Sequence, residues 1–217
     1  MTGIQTNANT EPPAGSSIGT SAVVSPEADA DSAPGLILRH ARPTEYELVG
    51  ALTERSFAAG PYGHFARSPE RERLERDAGA RARSGALLVA VDADGAVVGS
   101  ATLVRPGTPE SRLATTGEAE LRLLVVDPSR QRSGAGAALV RACIAEARRW
   151  GANAVVLDTG SLNSAAQRLY ERTGFDRLTD RPVEPYAPDA PAPLVYRLAL
   201  DIENDNEGAG ANAGEQA

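Results

Sequence analysis

One stretch, residues 118–150, restricts the folds open to this chain more than any other. An apolar run, Leu121 to Val126, enters the polar loop Asp127-Pro128-Ser129-Arg130-Gln131-Arg132-Ser133 and then Gly134-Ala135-Gly136, after which apolar residues at helical spacing continue to Trp150. A strand feeding a glycine-containing, arginine-rich turn at a helix start aims backbone N–H groups and guanidinium charge at one point. That arrangement suits an anion such as a diphosphate. A second apolar run, Ala154 to Asp158, follows the helix. Strand, helix, strand in that order makes a right-handed crossover, so the two strands are expected to be parallel neighbours in an α/β sheet.

The flanking segments extend this frame. Leu36 to His40 reads as a short first strand, and Pro43, at a favoured first helical position, begins an amphipathic segment running towards Ala59. Gly60-Pro61-Tyr62-Gly63-His64-Phe65 is a turn-rich connection. Ser68 as cap and Pro69 as first helical residue then open a second, highly charged helix to about Arg83. Ala86 to Val91 and Ala96 to Val104 are strands joined by Asp92-Ala93-Asp94-Gly95, a hairpin signal. Residues 106–116 form a polar loop before the strand Glu118 to Val126. Five prolines, Pro182, Pro185, Pro188, Pro191 and Pro193, force a loop before a last strand, Leu194 to Leu200.

Charge is distributed unevenly. Of 29 acidic residues, four lie in residues 1–35 and five in 201–217, where no Lys or Arg occurs; 20 acids and 22 bases remain in 36–200, a balance of +2. A mildly basic domain suits an anionic small molecule and not a nucleic-acid stripe. The two ends, poor in large apolar residues, cannot offset their ordering entropy and are expected to be disordered tails around one domain, 36–200. No apolar stretch approaches the ~18 residues of a membrane span, and the first 34 residues lack a basic start followed by an apolar run, so no membrane contact and a cytoplasmic location are expected. Cys143 is the single cysteine and shares a helix face with Val140, Ile144 and Ala147, which makes it a core residue. His40, ending a strand, reads as structural; His64, between aromatic neighbours, is a candidate pocket residue. No Cys or His cluster has ligand spacing, so no metal is expected.

Two motifs carry a family likeness. Gln131-x-x-Gly134-x-Gly136 after a strand resembles the signature of the GCN5-related N-acetyltransferases, the GNAT family. Asn163-Ser-Ala-Ala166-Gln-Arg-Leu169-Tyr170-Glu-Arg-Thr-Gly174-Phe175 resembles that family's N-x-x-A-x-x-L-Y-x-x-x-G-F. The run Gly117-Glu118-Ala119-Glu120-Leu121-Arg122-Leu123-Leu124-Val125-Val126-Asp127-Pro128 is similar to an actinobacterial subgroup. Ser133 departs from the pattern, where the family often places a basic residue; Arg130 and Arg132 stand beside it. The likeness spans roughly residues 36–200. It implies a mixed sheet of about six to seven strands flanked by about four helices, with two strands that splay to hold the pantetheine of acetyl-CoA, the cosubstrate.

The resemblance also implies roles. Leu124, Val125 and Val126 would line the cofactor along the central strand, and Gln131, Arg132, Ser133, Gly134, Ala135 and Gly136 would hold its pyrophosphate. Asn163 and Tyr170 would touch it from the following helix. An amine, from a small molecule or a peptide, would attack the thioester directly, so an ammonium must first lose a proton and the departing thiolate must gain one. Tyr170 stands at the position of the family's tyrosine acid. Glu120, with Glu118 two residues before it on the same strand face, is the candidate base. Homodimers are frequent in the family. Two rivals remain. A non-catalytic acyl-CoA sensor would carry the same cofactor motifs. A dinucleotide-binding oxidoreductase would use Gly134-x-Gly136 and Asp158, but Leu139 stands at the third glycine position, seven polar or turn residues intervene before Gly134, and no second set of strands and helices completes its sheet.

Overall fold

The computed structural model describes residues 35–201, so the tails expected at the two ends lie, but for Gly35 and Asp201, outside the described residues. The chain begins with β1 (Ile37–His40) and a 3₁₀ turn at Pro43–Glu45 that leads into α1 (Tyr46–Ala58). Two short helices follow, α2 (Pro69–Arg76) and α3 (Ala78–Ser84), then β2 (Gly85–Val91), β3 (Val97–Val104) and β4 (Glu118–Val126). After α4 (Ala135–Arg149) come β5 (Ala154–Thr159), α5 (Ser164–Arg172), β6 (Asp176–Leu178) and β7 (Leu194–Ala199).

The seven strands form one sheet in the order β1-β2-β3-β4-β5-β7-β6. Only β4 and β5 pair in parallel, as the crossover requires; the other pairs are antiparallel. Helices cover both faces, which is why β2 and β3 read as continuous apolar runs instead of alternating. Alternate residues of β2 show the division. Ala86, Leu88 and Ala90 pack with Leu139, Val140 and Cys143 of α4, whereas Leu87, Val89 and Val91 pack with Val49 of α1 and Ala78 of α3. The hairpin turn forms as its sequence predicts: Asp92 Oδ1 accepts from the N–H groups of Asp94 at 3.1 Å and Ala96 at 2.9 Å, and Gly95 takes a left-handed φ of +81°.

Two local features differ from the sequence reading. The helix expected from Ser68 to Arg83 is broken, giving five α-helices in place of about four. Ser68 caps α2 through Arg71 N–H, but Asp77 leaves helical geometry at ψ +76° and its side chain accepts from Ala80 N–H at 2.7 Å, capping a new helix. Strand β6 was not anticipated. Its three residues, Asp176-Arg177-Leu178, carry no apolar alternation and extend only because β7 offers a free edge.

Candidate active site

Parallel pairing between β4 and β5 lasts for three residue pairs, ending at Glu120 opposite Val156. Beyond that point β5 stays paired with β7 along its whole length, while β4 stays with β3, so the two strands part company. The gap opens on a cavity of about 700 Å³. One extra residue lies in β4 between the pairs Arg122–Thr102 and Val125–Ser100, and Leu123 there adopts a φ of +51°. A β-bulge with a non-glycine residue in the left-handed region costs about 1–3 kcal/mol and re-aims the strand, here towards the cavity that Leu124, Val125 and Val126 line.

At one end of the cavity lies the glycine turn. Gly134 takes a φ of +84° at the N-terminal boundary of α4, which has no side-chain cap, so the first N–H groups of that helix face the cavity. Beside it Arg132 adopts a φ of +66°. A Cβ at Gly136 would sit 3.3 Å from Leu169 Cδ2, so glycine is what allows α4 and α5 to approach at this point. Asp127 shapes the loop: its carboxylate accepts from the Ser129 hydroxyl and N–H, at 2.7 and 2.9 Å, and from Arg55 at 3.0 Å. Those bonds pull its carboxyl down to about 2. Gln131, Arg132, Ser133, Gly134, Ala135 and Gly136 all border the cavity; Ala135 N–H donates to Ser133 Oγ at 3.4 Å, and a helix start of this kind fits a pyrophosphate.

Helix α5 supplies the far wall. Asn163 caps it, accepting from Ala166 N–H at 3.2 Å, and also borders the cavity. Tyr170 is 6% exposed, packed against Phe175 and Tyr196, and its hydroxyl forms no hydrogen bond with the described residues. Burial pushes that hydroxyl well above the ordinary tyrosine range, so it carries its proton at neutral pH.

The two glutamates expected to act as bases stand elsewhere. Glu118 and Glu120 do not border the cavity. Glu118 accepts from Arg181 at 2.8 Å, from Thr115 N–H at 3.0 Å and from Arg197 at 3.3 Å. Burial would raise its carboxyl, but these bonds outweigh it and hold the group at about 2. Glu120 is fully buried, and its Oε2 accepts from Ser111 Oγ and from the N–H groups of Arg112, Leu113 and Ala114, at 2.9–3.1 Å. It organises the loop before β4. Neither carboxylate is free to meet an amine, because a strand face that looks open in sequence is closed by that loop and by Arg181.

Two carboxylates border the cavity, Glu75 of α2 and Asp158, the latter near the end of β5 where the strands have separated. The Asp158 side chain is 4% exposed, Oδ2 has no hydrogen-bond partner, and Arg112 Nη1 lies 3.5 Å from it. Sequence reasoning weighed Asp158 only as a possible dinucleotide acid; its place at a strand end five residues before Asn163 was the available signal. Arg71, Glu75, Arg122 and Tyr186 complete this end; of these, sequence pointed only to the proline-rich segment near Tyr186 as a place of substrate contact. Of the connection after α1, Tyr62 and Phe65 border the cavity, whereas His64 does not and stacks on Phe65 at 4.1 Å. Tyr62 spans the mouth: its hydroxyl accepts from Leu162 N–H at 3.1 Å and lies 3.4 Å from Ser161 Oγ. Among the described residues no group of three or more His, Cys, Asp or Glu could hold a metal, and no helix is long and apolar enough to cross a membrane.

Comparison with known proteins agrees with this geometry. The model of the acetyltransferase (GNAT) family matches residues 48–175. A mycothiol acetyltransferase of Sanguibacter keddieii is 34% identical over 154 residues, 68% of this chain and 45% of that protein. The chain spans about half or less of the length of the curated relatives it matches. Among solved structures, a GCN5-related N-acetyltransferase from Kribbella flavida is 27% identical with a TM-score of 0.58, over 78% of this chain and all of that one. A GNAT family acetyltransferase from Brucella melitensis, solved in complex with acetyl-CoA, is 26% identical with a TM-score of 0.51, over 76% of this chain and 88% of that one.

Proposed function

Because this chain belongs to the acetyltransferase (GNAT) family, we propose that it transfers an acetyl group from acetyl-CoA to an amine acceptor by direct attack on the thioester. One observation carries the reading: the separation of β4 from β5 places the glycine turn, Tyr170 and Asp158 on one cavity. Acetyl-CoA, when bound, supplies an acyl thioester. The N–H groups at the start of α4, with Arg132, hold its pyrophosphate, and the bulged segment Leu124–Val126 lies along its pantetheine.

Asp158 receives the proton that the acceptor ammonium must lose before its nitrogen can attack the acetyl carbon. Its place on the cavity, which neither Glu118 nor Glu120 borders, supports this role over those two carboxylates. As the C–S bond breaks, Tyr170 passes its hydroxyl proton to the thiolate sulfur, and its phenolate regains a proton from the nitrogen, which sheds its extra proton to become the amide. The free hydroxyl, protonated at neutral pH, supports that assignment. Asn163 is kept in place by its cap and borders the same wall.

The test is thiol release from acetyl-CoA by the purified chain across small amines, amino acids, aminoglycosides and short peptides, with calorimetric binding of acetyl-CoA in parallel. Acceptor-dependent release that falls in Tyr170→Phe and Asp158→Asn, with acetyl-CoA binding retained, is the expected result. Binding without release from any acceptor would make the chain an acyl-CoA sensor instead.

A further inference from the structure

The acceptor end of the cavity holds more positive than negative charge. Arg67 and Arg71 share one carboxylate, Glu75, which is 1% exposed and accepts from Arg67 Nη1 at 2.8 Å and Arg71 Nε at 2.5 Å. Across from them Arg122, 8% exposed on β4, donates Nη1 to the Glu110 carbonyl and keeps it 3.4 Å from Glu120 Oε1. Glu120 is already held by four donors, and Asp158 has Arg112 Nη1 at 3.5 Å and the buried Tyr186 hydroxyl beside it. Four guanidinium groups thus stand with three carboxylates, and of the guanidinium groups Arg122 is almost fully buried, where an unmatched charge is costly. Arg71 and Arg112 also flank the Tyr186 ring at 5.3 and 5.5 Å. Burial lowers the Arg122 proton affinity and outweighs the opposing pull of Glu120 and Asp158, while Arg112 and Arg71 add smaller contributions in the same direction as burial.

Arg71, Arg122 and Asp158 all border the same cavity. We infer that the acceptor is a zwitterionic amine, one that carries its own carboxylate or an equivalent anion: Arg71 and Arg122 receive the anion while Asp158 Oδ2 receives the ammonium. The pairing is geometric as well as electrostatic. A planar guanidinium takes a carboxylate in a two-point fork, which would orient the acceptor within the cavity that Asp158 also borders. A plain amine would make no contact with the arginine pair and so would bind less well. The inference rests on the acetyl-transfer reading above and narrows its acceptor.

The experiment uses matched acceptors on the full chain: a panel of amino acids, each beside its amide, its methyl ester and its decarboxylated amine, assayed by thiol release. For at least one acid, kcat/KM is expected to exceed that of its three partners that lack the carboxylate by about tenfold or more, the scale of a charge-assisted contact. In Arg122→Gln and, separately, in the more exposed Arg71→Gln, that preference is expected to shrink to within about threefold through a raised acceptor KM. The KM for acetyl-CoA is expected to stay within about twofold. Having two variants guards against one that fails to fold, and the acid-to-amide ratio in the unmodified protein needs neither. Amides, esters or simple amines used as well as the acids would overturn the inference and leave acetyl transfer standing. Acetyl-CoA binding with no release from any amine would overturn both.

Discussion

Three carboxylates on two neighbouring strands have three environments, and their environments decide their roles. Glu120 sits in a nest of donors and Glu118 between two arginines, so each is committed to structure; Asp158 faces the cavity with one oxygen unpaired. Asp158→Asn, which keeps the size and removes the basic oxygen, is therefore expected to lower kcat by about 100-fold or more. Raising the pH, which deprotonates part of the free amine, is expected to recover some of that loss, seen in kcat/KM against pH. Tyr170→Phe is expected to reduce kcat by about 10- to 100-fold with the acetyl-CoA Kd little changed, since the ring keeps its packing against Phe175 and Tyr196. Cys143 has no part in this chemistry. It is fully buried, and burial pushes its thiol well above the ordinary range, so it is expected to resist alkylation until the protein unfolds, as timed labelling with a thiol reagent would show.

At the scale of elements, the cavity owes its shape to contacts between segments far apart in sequence. The connection after α1 reaches the loop between β5 and α5 through Tyr62, whose ring lies where Gly160 has no side chain. A Cβ at Gly160 would stand 2.0 Å from Tyr62 Cε2. Gly160→Ala is thus expected to push the ring out, break its bond to Leu162 N–H and loosen residues 60–65, which faster amide hydrogen exchange in that segment would report. Helices α1 and α2 meet through another bare position: a Cβ at Gly50 would lie 2.2 Å from the Arg76 carbonyl. The break at Asp77 then turns α3 so that Arg81, fully buried, donates to Thr102 on β3 at 3.1 Å and to Thr53 on α1 at 3.2 Å. One continuous helix could not have brought Arg71 to the cavity and Arg81 to the sheet in this way.

Across the whole molecule, the proline-rich segment and the last strand are tied back to the centre of the sheet by charge. Arg181 and Arg197 both reach Glu118, and Arg112 donates to the Glu184 carbonyl at 2.7 Å. The Glu118 carboxyl is held at about 2 in the folded protein, below its ordinary 4.5, so its contribution to stability is present above about pH 4.5 and is lost as the pH falls towards 2. The contribution is on the order of 3 kcal/mol, and Glu118→Gln is expected to lower stability at pH 7 while flattening its acid dependence, as denaturant titrations at several pH values would measure. The amino-acid sequence by itself determined the elements whose signals are local: the glycine turn of α4, the Asp92–Gly95 hairpin, the Ser68 and Asn163 caps, and the parallel crossover. It also marked residues that border the cavity at the glycine turn, because a strand, a turn and a helix start lie within one short run. Only the tertiary structure decided the end of the cavity at Asp158. Whether Glu120 or Asp158 faces the cavity depends on which donors the 106–116 loop and the arginines bring to each, and those partners come from distant parts of the chain. Strand β6 and the Tyr62 bridge belong to the same class, since each exists only because a remote edge or a bare glycine receives it.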